Sequence, residues 1–295
     1  MVSSHGRAAW AMVAVTAMWA TAGVLTRRLE VAQSFEITFW RSAFTALCVA
    51  LILRTLQGQG VFKRLLQAPR VLWVSGACWA VMFTAFMMAL TLATVAEVLI
   101  TMALSPLLTA VLARIFLRQK IAGHTWAAIA VAGVGMVWMF AQPRATQGVP
   151  WGSIIALLVP ASAAANWCLL QHRQSQNDAV DMMPAVFLGA CGSALLTLPL
   201  ALPFQANAHD MALLSLLGLV QLAIPCTLLV ACAKVLPAPE ISLLSLLEVL
   251  FGIAFAWAWA NETPNTQVLC GGSLVLMALL ANALQNWRHT QGDNP

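Results

Sequence analysis

A chain of 295 residues that is 61% hydrophobic and 8% charged, with mean hydropathy +0.84, lacks the polar surface of a soluble domain, in which about 25% of residues carry charge. The net charge of +5 is spread over short loops rather than one face, which argues against a nucleic-acid partner. Seven cysteines (48, 78, 168, 191, 226, 232 and 270) all fall inside apolar segments without CxxC or Cys/His spacing, so they read as small buried residues and not as disulfides or a metal site.

Apolar runs of about 20 residues, the length of a bilayer crossing, recur along the whole chain. Ten spans are predicted: 8–26, 35–53, 71–90, 95–117, 124–141, 151–170, 182–202, 211–233, 241–260 and 267–287. The first has no convincing cleavage pattern and reads as a span rather than a signal peptide. The links are short and marked by Gly, Pro, Asn or charge, as at Gly58-Gln59-Gly60, Pro143-Arg144, Gln176-Asn177-Asp178 and Asn261 to Pro264.

An even number of spans puts both tails on one side, and Lys and Arg choose that side. With cytoplasmic tails the inside collects Arg7, Arg54, Lys63, Arg64, Arg70, Arg114, Arg118, Lys120, Arg173, Lys234 and Arg288. The outside holds only Arg27, Arg28 and Arg144. The expected topology is therefore N-in and C-in. Five spans per half, 1–145 and 146–295, make the second half enter from the opposite side, so any repeat is inverted. A shift of 143 positions lays Glu97 on Glu240 and Leu104 on Leu247 (240 − 97 and 247 − 104). Inverted repeats with a site near the midplane are a common transporter plan. The fold class is an all-α membrane protein, ten transmembrane helices as two inverted five-helix repeats.

Ionisable residues within spans are rare and each needs a reason. Glu248, in the middle of the ninth span, is either a partner for a substrate amine or proton, or a carboxylate held structurally between helices. Arg41 has Glu36 five residues before it, which offers a structural ion pair. Glu97 and Glu240 open the fourth and ninth spans, where a carboxylate favours the helix dipole; their equivalent positions also suggest gating. Trp10, Trp73, Trp126, Trp151, Trp257, Trp259 and Trp287 lie near span ends, as interfacial belts do. Trp19, Trp79 and Trp167 lie deeper, Phe83 follows Trp79 at helical spacing, and Asn166 precedes Trp167. The candidate lining of a substrate cavity is thus Trp19, Trp79, Phe83, Met102, Asn166, Trp167 and Glu248, with Glu97, Glu240 and Arg41 as gating or coupling residues. Pro106, Pro160, Pro199 and Pro225 can loosen backbone hydrogen bonding within spans. Gly133, Gly135, Gly271 and Gly272 suit close helix approach, within the fold or in a homodimer. No Asp lies within a predicted span, the histidines lie in tails, loops or span edges, and no nucleotide motif is present, so neither an enzyme nor a cofactor is implied.

The runs ALTLATVAEVLITMALSPLLTAVLARIFLRQKI (89–121) and LLEVLFGIAFAWAWANETP (246–264) resemble the paired signatures of EamA-type transporters of the drug/metabolite transporter superfamily. Ser105-Pro106 through Arg118, Glu248, Ala256-Trp257, Glu262 and Pro264 carry the resemblance, and Arg41 matches an arginine frequent in the second helix. Val249 stands where the family has proline, and Arg118-Gln119-Lys120 replaces the exit Glu of the first repeat. The resemblance implies a carrier in a bacterial-type inner membrane, working by alternating access on amino acids or related small metabolites, most often as an exporter. An efflux carrier for drugs or organic cations is the alternative of the same architecture; a membrane-embedded enzyme is the reading from another class.

Overall fold

The computed structural model describes residues 4–58, 60–116, 118, 122–140, 151–174, 183–232, 235–236, 241 and 244–292. Its helices are α1 (Ser4–Arg27), α2 (Ser34–Gln57), α3 (Val61–Leu66), α4 (Arg70–Leu92), α5 (Val95–Met102), α6 (Ser105–Phe116), α7 (Gly123–Phe140), α8 (Trp151–Gln174), α9 (Met183–Ala201), α10 (Ala208–Gly218), α11 (Ile224–Cys232), α12 (Leu247–Ala260) and α13 (Thr266–Gly292). A π-helical turn, Leu219–Ala223, joins α10 to α11.

Eight segments of described residues are long and apolar enough to cross a bilayer, and two shorter apolar helices, Gly123–Trp138 and Leu247–Ala260, stand where the fifth and ninth spans are predicted. Tryptophans 10, 73, 126, 151, 257 and 259 are all exposed, as a belt in contact with lipid headgroups requires.

Three of the spans are less regular than the hydropathy pattern predicts. The fourth is broken at Ala103-Leu104. Pro106 has no N–H for the Met102 carbonyl four residues back and its ring would crowd that oxygen, so α5 stops and α6 restarts with Pro106 in its first turn. In the eighth, Pro225 deprives the Gln221 carbonyl in the same way, and the helix widens there into the π turn. The ninth is interrupted at Leu246, so α12 begins at Leu247. Glu248 therefore sits in the first turn of a helix, not in the middle of one. Glu240 lies outside the described residues.

The helices of the two halves are interleaved. α4 packs chiefly on α8 and α9, α2 on α9 and α10, α1 on α12 and α11, α6 on α8, and α7 on α13. Exchanging the halves maps these pairs onto one another: α4 with α8 corresponds to α11 with α1, and α1 with α12 to α8 with α6. Glycine permits the closest approaches. A Cβ at Gly218 would stand 2.9 Å from the Arg41 carbonyl, so α10 lies close against α2 there. Gly135 meets the Gly271 carbonyl between α7 and α13, and Gly272 meets Ile100, so these three serve packing within the fold; Gly133 faces open space.

Candidate functional site

The two broken spans define the middle of the bundle. A shift of 143 lays the break at Ala103 on the break at Leu246 (246 − 103), so equivalent helices of the two halves are interrupted at equivalent places. Val249 replaces the family's proline, yet the interruption persists. Interrupted helices expose helix ends to a cavity at mid-membrane depth, where charged groups of a substrate can be met. Glu248 is half-buried one residue into α12. Gly252, one turn on, lets α12 lie against Leu99 of α5, which brings the two interrupted spans together. Met102, the last residue of α5, packs at the margin of the central core.

Beside this junction lies a polar cluster. Arg41 of α2 is 1% exposed. Its Nε and Nη2 donate to Gln221 Oε1 at 3.0 and 2.9 Å, and its guanidinium lies over the rings of Phe83 and Phe86 at 5.8 and 5.5 Å. The predicted pairing with Glu36 is not formed. Glu36 instead accepts the Gln205 and Ala206 N–H groups of the α9–α10 connection, because these lie beyond the end of α9 with no carbonyl to pair with. The Gln221 amide leans toward the Trp19 carbonyl at 3.5 Å, and Trp79 stacks obliquely on Phe83 with ring centres 5.3 Å apart. Ser42, Ser193 and Thr84 close the cluster with hydroxyl contacts of 2.9 Å that tie α2, α9 and α4. Of the predicted lining, then, Trp19, Trp79 and Phe83 meet around Arg41, which the sequence suggested for gating or coupling, while Gln221 and Ser193 join them unanticipated.

Asn166 and Trp167 belong elsewhere. Asn166 accepts from Ser75 Oγ at 2.7 Å and is a buried contact between α8 and α4. Trp167 is 51% exposed, although it continues the stripe of Ala156, Pro160 and Ala163, which is buried. Spacings of four, three and four residues keep these on one helix face, so the face that packs inside the bundle becomes exposed at Trp167, toward the end that carries the tails. Trp167→Ala is therefore expected to weaken substrate binding at least several-fold, and Trp151→Ala, at the far end of α8, to leave it unchanged. Equal effects in a binding titration on both folded variants would reduce Trp167 to ordinary packing.

The opposite end is held together by cross-links between helices. Arg27 bonds Glu262 Oε2 at 3.0 Å and the Leu90 and Ala93 carbonyls at 2.8 and 2.7 Å, while Glu262 Oε1 accepts the Val95 N–H. Glu262 is a cross-link between α12, α1 and α5 rather than the freely solvated exit that its sequence position suggests. Asp210, fully buried, accepts three consecutive N–H groups from Glu30, Val31 and Ala32 at 2.9, 3.0 and 2.9 Å. Glu97 forms a capping box with Thr94 at the start of α5, which accounts for its place in a first helical turn. A cleft of about 630 Å³ opens at this end between Arg27, Gln33, Glu36 and Leu200, away from Arg41 and Glu248.

A multi-pass helical bundle with interrupted helices and buried charge at its centre is the architecture of a membrane transporter. The EamA-like transporter family model matches residues 6–141 and again 150–284. The chain belongs to the EamA-like transporter family, as a two-repeat member of the drug/metabolite transporter superfamily. No curated protein matches. Among solved structures, one described only as "Crystal structure of protein" aligns with TM-score 0.61 at 16% identity over 96% of this chain and 98% of its own, a likeness of fold.

Proposed function

We propose that this protein is a secondary carrier that moves amino acids or related small metabolites out of the cell by alternating access, through a cavity between two inverted five-helix halves, 1–145 and 146–295. The observation that carries the reading is the pair of equivalent interruptions, at Ala103 and Leu246, with Glu248 at the start of the helix that follows the second. The exchange symmetry of the helix pairs supports the inverted repeat. The exposed Trp167 at one end and the Arg27, Glu262 and Asp210 bonds at the other support a conformation open toward the tails. With the Lys and Arg bias, that end is the cytoplasmic side of the inner membrane. In this reading Glu248 faces the substrate amine, and Trp19, Trp79, Phe83 and Met102 form the walls. Glu97, beside the distal closure, serves gating.

Reconstituted protein should carry labelled amino acids across liposomes, and cysteines introduced at the two tails should react only from the cytoplasmic side of intact spheroplasts. Flux of organic cations in place of amino acids would move the assignment to a drug-efflux carrier of the same architecture. Tails labelled from outside would reverse the topology.

A further inference from the structure

An arginine buried within a membrane span is expensive and is normally matched by a carboxylate or by a full set of acceptors. Arg41 has neither. Among the described residues its one hydrogen-bond partner is the neutral Gln221 side chain, its Nη1 is buried without a partner, and no carboxylate lies within ion-pair distance. The rings of Phe83 and Phe86 lie near the guanidinium and supply no acceptor. Close by, the indole Nε1 of Trp79, whose ring touches Phe83, is likewise buried and unpartnered. Both orphan atoms are donors. An unmet buried donor costs about 1–3 kcal/mol, which an acceptor brought by a ligand would relieve. Two unmet donors and an uncompensated positive charge around one aromatic ring describe a place reserved for an acceptor that carries negative charge.

We propose that Arg41 is the residue that recognises the substrate's carboxylate, with Trp79 Nε1 as an auxiliary donor and Gln221 holding the guanidinium in place. The inference rests on the carrier reading above and sharpens it. Arg41 binds the acid group and Glu248 meets the amine. A guanidinium suits this task because it offers a second pair of donors after Nε and Nη2 are committed. Substrate entry requires the cluster to open, since Nη1 is now buried.

The test uses the full-length protein in liposomes and three series of probes built on the side chains of leucine, phenylalanine and threonine: the amino acid, its primary amide and the decarboxylated amine. Wild type should transport the amino acids at least about tenfold better in kcat/KM than the amides or amines, the loss expected for one charge-assisted contact. Arg41→Gln should bring the members of each series to within about twofold of each other. Gln221→Glu supplies a fixed carboxylate to Arg41 and should abolish the preference for acids without lowering the melting temperature; a merely structural arginine would be satisfied by that change and transport would persist. This second variant decides the matter if Arg41→Gln fails to fold. Equal transport of amides and acids by wild type, or an acid preference that survives Gln221→Glu, would overturn the inference while the carrier reading stands. Absence of flux for every probe would remove the amino-acid carrier reading and the inference together.

Discussion

Glu248→Gln is expected to reduce transport by about 10- to 100-fold while leaving expression and melting temperature close to wild type. The substitution keeps size and shape and removes only the charge. A contact between a carboxylate and an ammonium group contributes about 1.5–3 kcal/mol, which corresponds to that range at about 1.4 kcal/mol per factor of ten. The fold should tolerate the change, because Glu248 has no ion pair among the described residues and stands in the first turn of α12. Glu262→Gln is the informative comparison. It keeps an oxygen for the Val95 N–H but gives up the ion pair with Arg27, whose side chains are 30% and 18% exposed, so its effect should stay below about 1 kcal/mol. Initial rates in proteoliposomes measure both. Wild-type rates from Glu248→Gln would make this carboxylate structural.

Asp210→Ala should be the most damaging single change to stability, about 3 kcal/mol or more. Glu30, Val31 and Ala32 follow the end of α1, where the chain turns toward α2 and their N–H groups have no helical acceptor. The Asp210 carboxylate takes all three, and Asn207 in turn accepts the Asp210 N–H at 2.8 Å as the N-cap of α10. Removing the carboxylate leaves three part-buried donors without their acceptor, at up to about 1–3 kcal/mol each where water does not replace it. Asp210→Asn keeps one acceptor oxygen and should lose roughly half as much. Thermal unfolding in detergent compares the three proteins. A melting temperature for Asp210→Ala equal to wild type would mean that water replaces the carboxylate completely.

These two acidic residues mark what the sequence makes conspicuous and what it hides. Glu248 is conspicuous because charge is rare in an apolar run, and the shift of 143 that relates the halves also aligns the interruptions beside it. Asp210 lies just ahead of the predicted eighth span and reads as an ordinary loop residue; Gln221, an amide within an apolar run four residues before Pro225, carried a signal of the same kind as Asn166. Both matter because of partners about 180 positions away, Arg41 for Gln221 and Glu30 for Asp210. The family pattern places Glu262 at the end of a helix, but only the assembled bundle turns Arg27 toward it.

By itself the sequence determined the solvent, the helical class and the length of most crossings, because hydropathy and chain rise act within a few residues. Only the tertiary structure decided that Pro106 and Pro225 disturb their helices while Pro160 and Pro199 sit in continuous ones, that Arg41 pairs with Gln221 and not Glu36, that Trp167 is exposed while Asn166 is buried, and that Glu262 is a cross-link. A buried polar group must satisfy itself with whatever packing brings near, and in an interleaved bundle that neighbour comes from the other half of the chain.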